Sequence, residues 1–326
     1  MTLRQYLFLL GKVVFAGGIL WWLFGKIDAG MLWGLLLAAK PAPMAFALGF
    51  GVVIILIAAW RWRRLLGVFG IEAPLGALFC IAWIGQFFLL FLPGPIGDDA
   101  SRMVYISRAA PGRAGEACLS VMLDRAIGLG SVLVLCLFVV PLQWAVLRLT
   151  SQTFWLAGAV FCAGLGFLVA GLLFLVLARP LPPGDGIFGL LPAGRIRSEL
   201  VRLWNLGAGN KRAVSQVFAA AVSIQLLNCI TFWLAGASVG IDVPLLAWAS
   251  FVPVILASNV LPVTIAGLGV REYLLVLFLG VVGQVGAEQA MAASLVVFAA
   301  MVAVSSLGGL VYVFYRGSAH PVKMES

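Results

Sequence analysis

The sequence is poor in charge, because only 10% of its 326 residues are Asp, Glu, Lys or Arg. An ordinary soluble domain carries about a quarter charged residues. Hydrophobic residues make up 63% of the chain and recur in runs of about twenty, which is long enough to cross a membrane as helices. The composition therefore excludes an ordinary soluble domain and predicts one all-α, polytopic membrane domain over residues 1–326.

Residue types that bind metals or carry redox chemistry are also scarce. The single histidine, His320, stands in a polar tail, and the five cysteines lie in apolar runs without the close spacing of a zinc or redox motif. We therefore predict no metal site and no cofactor. The net charge of +9 comes from short basic clusters beside apolar runs, as in cytoplasmic loops, so we predict no nucleic-acid partner.

Two interruptions of the apolar runs resemble each other. The first, Leu92 to Arg102, is LPGPIGDDASR, and the second, Leu261 to Glu272, is LPVTIAGLGVRE. In both, Leu-Pro is followed by an isoleucine, a glycine and then an arginine ten residues after the leucine. Proline and glycine make both breaks irregular, and irregular backbone at membrane depth is tolerated only where it is buried in protein or lines a wet cavity.

The distribution of basic residues distinguishes two topologies. If every apolar run crosses the membrane, giving eight simple spans, the better orientation puts 12 basic loop residues inside and 7 outside. If each break is the tip of a re-entrant hairpin and both termini are cytoplasmic, the count becomes 14 inside and 3 outside. The positive-inside rule favours the second topology, which has about six full spans and two hairpins in a bacterial cytoplasmic membrane.

The hairpin topology divides the chain into two halves that run in opposite directions. Residues 1–148 form helix, helix, hairpin and helix, and residues 149–320 repeat that order from the other side of the membrane. Inverted repeats with broken helices are how many transporters build a site accessible from either side. We therefore predict a transporter-like arrangement, with the eight-span alternative still open.

An arginine beside each break is a candidate ligand for an anion. Arg102 and Arg271 lie in the first turn of the segment that follows each break, and both a helix N-terminus and a guanidinium group suit phosphate. We predict that they bind a lipid phosphate. The alternative is an ion pair that shapes each break, between Arg102 and Asp98 or Asp99, and between Arg271 and Glu272.

Glycines beside the two arginines complete the predicted binding site. Gly97, Gly267 and Gly269 are expected to let the backbone approach the phosphate, because a residue without a Cβ permits close contact.

Acidic residues beside the breaks are candidates for gating or coupling. Asp98 and Asp99 are adjacent carboxylates, which titrate apart in a low dielectric, and Glu272 directly follows Arg271 at the second break. The alternative for the aspartates is that one of them caps the following helix.

Further polar residues lie within the apolar runs. Asp124 and Arg125 are predicted to form a buried structural ion pair, because two charges cost least there when they are matched. Four amide side chains either line the same cavity or bond between helices: Gln86, Gln225, Asn228 and Asn259.

Three stretches resemble the marker motifs of the flippase-like family, which takes its name from the transmembrane domain of bacterial lysylphosphatidylglycerol synthases. They are FLPGPIGDDASRMVYISR from Phe91, LDRAIGLG from Leu123 and LPVTIAGLGVREYLLVLFL from Leu261. The family usually has Gly-Gly-Asp where this chain has Gly97, Asp98 and Asp99, so Asp99 matches the family acid and Asp98 is a departure.

The resemblance implies a protein that moves, or helps to move, anionic phospholipids, polyprenyl-phosphate-linked molecules or hopanoid-type lipids between leaflets. The soluble aminoacyl-transferase domain of the full-length synthases has no counterpart in the sequence, so we expect no enzymatic activity. Two alternatives remain: a membrane-embedded transferase with Asp98 and Asp99 as catalytic acids, and an accessory subunit that presents lipid to a lipid-modifying enzyme.

Overall fold

The computed structural model describes residues 28–92, 96–110, 112–144, 148, 151–177, 195–258, 269–315 and 323–324. The first predicted run, Tyr6 to Phe24, lies outside these residues. So do most of the second break and the prolines of the first break. The fold is therefore described from the second predicted run onward.

The described chain is almost entirely helical. Its elements, in order, are α1 (Ala29–Leu37), α2 (Pro41–Val68), β1 (Ile71–Glu72), α3 (Leu75–Leu89), α4 (Ile96–Ala109), α5 (Ala114–Val139), a 3₁₀ turn (Val140–Gln143), α6 (Ser151–Leu177), α7 (Arg195–Gly209), α8 (Lys211–Ser238), α9 (Leu245–Ser258), α10 (Val270–Val282), α11 (Ala287–Phe314) and β2 (Lys323–Met324). The short strands β1 and β2 pair antiparallel.

Five of the described helices are long and apolar enough to cross a membrane, namely α2, α5, α6, α8 and α11. Each coincides with a run that the sequence predicts to span. The prediction of an all-α polytopic membrane protein is therefore confirmed.

Two pairs of shorter helices flank the breaks. Helices α3 and α4 have 15 and 14 residues and pack against each other, and α9 and α10, with 14 and 13 residues, do the same. At 1.5 Å per residue each helix is about 20 Å long, shorter than the hydrocarbon core of about 30 Å. Each pair therefore consists of two packed helices that are each too short to cross the membrane. We call the two pairs the first and second hairpin, and the helix ends beside the breaks their tips.

The base of the first hairpin is tied together at one end of the molecule. The Arg113 guanidinium, just before α5, donates hydrogen bonds to the carbonyl oxygens of Phe69 (3.2 Å) and Gly70 (3.1 Å), just after α2. Both ends of the hairpin, at Leu75 and Ala109, therefore lie near the C-terminus of α2 and the N-terminus of α5.

A close contact between α3 and α11 fixes the depth of the first hairpin. A Cβ at Gly308 would lie 2.2 Å from the carbonyl oxygen of Trp83, so only glycine permits this approach. The Trp83 indole N–H donates to the carbonyl oxygen of Val304 at 2.7 Å. Small residues at such contacts are a common way to bring membrane helices together.

The order long helix, hairpin, long helix occurs twice, as α2 to α5 and as α8 to α11. Helices α2 and α8 pack against each other and run antiparallel, because the Lys40 N–H before α2 donates to the Ser238 carbonyl at the end of α8 (2.8 Å). At the other end, Val217 of α8 clusters with Trp62 and Leu66 of α2. Helix α3 packs on α11, and α9 packs correspondingly on α5.

Candidate functional site

A cavity of about 400 Å³ is lined by residues from both hairpins. Helices α2, α3, α4, α5, α8, α9, α10 and α11 all contribute to its lining. Six charged side chains line it: Arg61, Asp98, Arg102, Asp124, Arg125 and Arg271. A cavity with four arginines, surrounded by membrane-spanning helices, is suited to an anionic group.

Asp124 of α5 is the centre of a buried ion-pair network. Its carboxylate accepts two hydrogen bonds from the Arg61 guanidinium of α2, at 2.7 and 2.8 Å. It also accepts one from Nη1 of Arg102 on α4, at 3.3 Å. All three residues are buried, so the low dielectric strengthens these contacts and joins the hairpin tip to two long helices.

The network continues along α4 to the mouth of the cavity. Asp98 Oδ1 lies 2.8 Å from Arg102 Nε, and Asp98 Oδ2 lies 3.5 Å from Nη2 of Arg125. The same Nη2 donates to Asp99 Oδ1 at 2.6 Å. Three arginines and three aspartates thus alternate in one continuous chain.

The pairs differ sharply in exposure. The side chains of Arg125 and Asp99 are 35% and 26% exposed. Those of Arg61, Asp124, Arg102 and Asp98 are all below 10% exposed. The Arg125–Asp99 pair is therefore the most exposed part of the network, and its arginine lines the cavity.

The second tip carries a more compact arrangement. The Glu272 carboxylate accepts hydrogen bonds from the Arg271 guanidinium, from the Ser294 hydroxyl at 2.9 Å and from the Gly269 N–H at 2.6 Å. Arg271 Nε also donates to Ser294 Oγ at 3.0 Å. Gly269 has a φ of +87°, which glycine adopts without strain, so Glu272 closes the first turn of α10.

Both break arginines lie over an aromatic ring. The Arg102 guanidinium carbon is 5.4 Å from the ring centre of Trp62, and that of Arg271 is 5.3 Å from the ring centre of Phe298. Such cation–π contacts stabilise a desolvated cation by about 2 kcal/mol. The two tips therefore hold their arginines in a similar way, with different acidic partners.

Both ion pairs that the sequence offered as an alternative to phosphate binding are present. Arg102 lies against Asp98, and Arg271 against Glu272. Arg271 is 3% exposed, with Nε bonded to Glu272 and Ser294 and Nη2 bonded to Glu272.

Two expectations about neighbouring residues are wrong. Asp124 and Arg125 do not pair with each other: Asp124 pairs with Arg61 and Arg102, and Arg125 with Asp98 and Asp99. The reason is that adjacent helical residues point about 100° apart and reach different neighbours.

The expected capping role of the aspartates is also wrong. Helix α4 begins at Ile96, so Asp98 and Asp99 lie inside its first turn instead of preceding it. Both remain favourably placed with respect to the helix dipole.

The described glycines of the predicted binding site have different structural roles. A Cβ at Gly97 would lie 2.3 Å from the carbonyl oxygen of Phe88, so Gly97 allows α4 to approach the backbone of α3. Gly269 caps α10, and Gly267 lies outside the described residues. Of the predicted amides, Gln86, Gln225 and Asn228 line the cavity, whereas Asn259 is also outside the described residues.

Arg61 was not among the predicted site residues. Helix α2 continues to Val68, and Arg61 is buried with Trp62, Leu65 and Leu66. Arg61 and Trp62 are followed one helical turn later by Leu65 and Leu66, a stripe typical of a buried helix face. That stripe was the available signal that Arg61 points inward.

The fold and the site define a polytopic membrane protein with two broken-helix hairpins around a charged cavity. Residues 9–309 match the family described as "Lysylphosphatidylglycerol synthase TM region", and the chain belongs to that family. A search of the curated proteins found no match. Membership confirms the resemblance carried by the three sequence motifs and supports a function related to membrane lipids.

Proposed function

We propose that this protein moves a phosphate-bearing lipid between the leaflets of the bacterial cytoplasmic membrane, with the headgroup passing through the cavity between the hairpin tips. Candidate substrates are anionic phospholipids and polyprenyl-phosphate-linked lipids. The observation that carries the proposal is the cavity itself, where arginines from both tips, Arg102 and Arg271, face one volume of about 400 Å³. Guanidinium groups bind phosphate through paired donors.

The depth of the two tips supports passage from one side to the other. Asp124, the partner of Arg102, lies ten residues past the start of α5, about 15 Å along the helix. Ser294, the partner of Arg271, lies seven residues past the start of α11, about 10 Å along. If the hairpins enter from opposite faces, a headgroup meets one charged cluster near each face.

The pairing of the acids favours translocation over catalysis. Asp98 and Asp99 are the residues that a membrane-embedded transferase would use as acid and base, yet both are paired with arginines. A carboxylate that already contacts a guanidinium is not free to take part in proton transfer with a substrate. We therefore propose that the protein is not an enzyme and that Asp99 gates or couples the movement.

Reconstitution tests the proposal directly. Purified protein in vesicles should accelerate movement between leaflets of fluorescently labelled phosphatidylglycerol or of a polyprenyl phosphate. A matched label on diacylglycerol, which lacks phosphate, should show no acceleration by the protein over its own rapid spontaneous exchange. If none of the anionic lipids moves faster than in protein-free vesicles, the proposed function is wrong.

The hairpin topology has its own test. We propose that Pro111, after the first hairpin, faces the cytoplasm and that Ala287, after the second, faces outside. Cysteines introduced at these two positions, in a background with the five native cysteines replaced, should be labelled by an impermeant thiol reagent from opposite faces. Labelling of both from the same face contradicts the inverted arrangement.

A further inference from the structure

We propose that Arg125 is the first ligand of the phosphate group and that Asp99 is a built-in competitor which occupies it when no lipid is bound. This inference rests on the proposed function and names a residue that sequence reasoning placed in a structural pair. The geometry distinguishes this pair from the rest of the network, because it is the most exposed and its arginine lines the cavity.

The other arginines of the cavity are committed to buried partners within the fold. Arg61 donates to both oxygens of Asp124, and Arg102 bridges Asp98 and Asp124. Arg271 is shared between Glu272 and Ser294. Their side chains are all less than 10% exposed, so an incoming phosphate would have to break a buried pair, and breaking such pairs costs several kcal/mol.

Arg125 contacts its partners through a single nitrogen, Nη2, which lies 2.6 Å from Asp99 and 3.5 Å from Asp98. Its guanidinium has five N–H donors, and the side chain is 35% exposed while lining the cavity. A phosphate oxygen can therefore approach Arg125 without dismantling the buried network. Exchange of one anion for another also keeps the charge of the site balanced.

Asp99 is suited to the role of a displaceable carboxylate. It lies in the first turn of α4, and its side chain is 26% exposed, so it is less enclosed than Asp98 and Asp124. A partly exposed ion pair contributes only about 0–1 kcal/mol. The pair can thus open and close at low cost, releasing the headgroup when Asp99 returns.

If Asp99 competes with the phosphate for Arg125, removing the charge of Asp99 and removing that of Arg125 should change the affinity for the lipid in opposite directions. Asp99→Asn should tighten binding of dioctanoyl phosphatidylglycerol to the purified full chain by about three- to fivefold, because the competing charge is gone. Arg125→Gln should weaken it by at least about tenfold, because a charge-assisted hydrogen bond is lost. Titration calorimetry in detergent measures both, with dioctanoylglycerol as the phosphate-free comparison.

A matched control lies on α5, the helix that carries Arg125. Glu116 forms an ion pair of 2.5 Å with Arg202 and does not line the cavity, so Glu116→Gln removes one acid without touching the site. Its affinity for the probe should equal that of the wild type. Arg125→Lys, which keeps the charge but loses the planar fork, should bind between wild type and Arg125→Gln.

Each result decides the model. If Asp99→Asn weakens binding or leaves it unchanged, Asp99 is not a competitor and the inference is wrong; this comparison with Glu116→Gln holds even if Arg125→Gln fails to fold. Wild-type protein that moves lipid while all variants bind alike overturns this inference, for both Arg125 and Asp99, and leaves the proposed function standing. Wild-type protein that neither binds nor moves the anionic lipid overturns the proposed function as well.

Discussion

Removing the carboxylate of Asp124 should destabilise the protein strongly. Asp124→Asn keeps the shape of the side chain but takes away the negative charge that Arg61 contacts at 2.7 and 2.8 Å and Arg102 contacts at 3.3 Å. Arg61 would then be a buried cation without its carboxylate. Breaking a buried pair from one side costs about 3–5 kcal/mol, and because Arg102 keeps Asp98, we expect about 3 kcal/mol.

Equilibrium unfolding in mixed micelles, followed by circular dichroism, measures this loss. The exposed pair of Glu116 gives the scale for comparison, since Glu116→Gln should cost less than about 1 kcal/mol. The double variant Arg61→Met with Asp124→Asn should cost less than the sum of the single variants, because neither partner is left alone; we expect a coupling of about 1–3 kcal/mol. If Asp124→Asn is no more destabilising than Glu116→Gln, the buried network does not stabilise the fold.

Two further predictions concern the hairpin tips. A Cβ at Gly85 would lie 2.1 Å from Oδ1 of Asp98, so Gly85→Ala should displace that carboxylate from its ion pairs and lower lipid transport several-fold. Gly76→Ala, on the same helix but in open space, is the control. Equal transport by the two variants would refute the contact. Glu272→Gln should cost about 2–4 kcal/mol in the same unfolding assay, because Glu272 is fully buried and closes the first turn through Gly269; a loss below about 1 kcal/mol would contradict that role.

The helices could be predicted from the sequence because the membrane imposes a simple rule on them. A span needs about twenty apolar residues, and each of the five described long helices coincides with such a run. The shortness of the hairpin helices also follows from Pro and Gly at Leu92 to Arg102 and at Leu261 to Glu272, since those residues interrupt helices. The fold class therefore depends on local composition, which the sequence displays.

The pairing of charges could not be predicted because it depends on contacts between distant segments. Arg61 and Asp124 are separated by 63 residues, and neither has a local feature that names the other. Asp124 and Arg125 were matched by adjacency, although adjacent positions on a helix face different neighbours. Only the packing of α4 between α2 and α5 decides which arginine each aspartate reaches.

The two tips share a sequence pattern but differ in how freely their arginines can act. In the first tip the acidic partner of Arg102 on the same helix lies four residues earlier, at Asp98, so the acid is on the adjacent helical turn and can be shared with Arg125. In the second tip the partner of Arg271 is the next residue, Glu272, whose carboxylate is also bound to the Gly269 N–H. Because Asp98 contacts both Arg102 and Arg125, a change in charge at Arg102 also affects the exposed end of the network. The Arg271–Glu272 pair is instead bonded within the first turn of α10. We therefore propose that an anion reaching the first tip meets an ion pair that can exchange, whereas one reaching the second tip meets a pair that must first be broken. Under the proposed function, this asymmetry favours loading of the headgroup at the first tip.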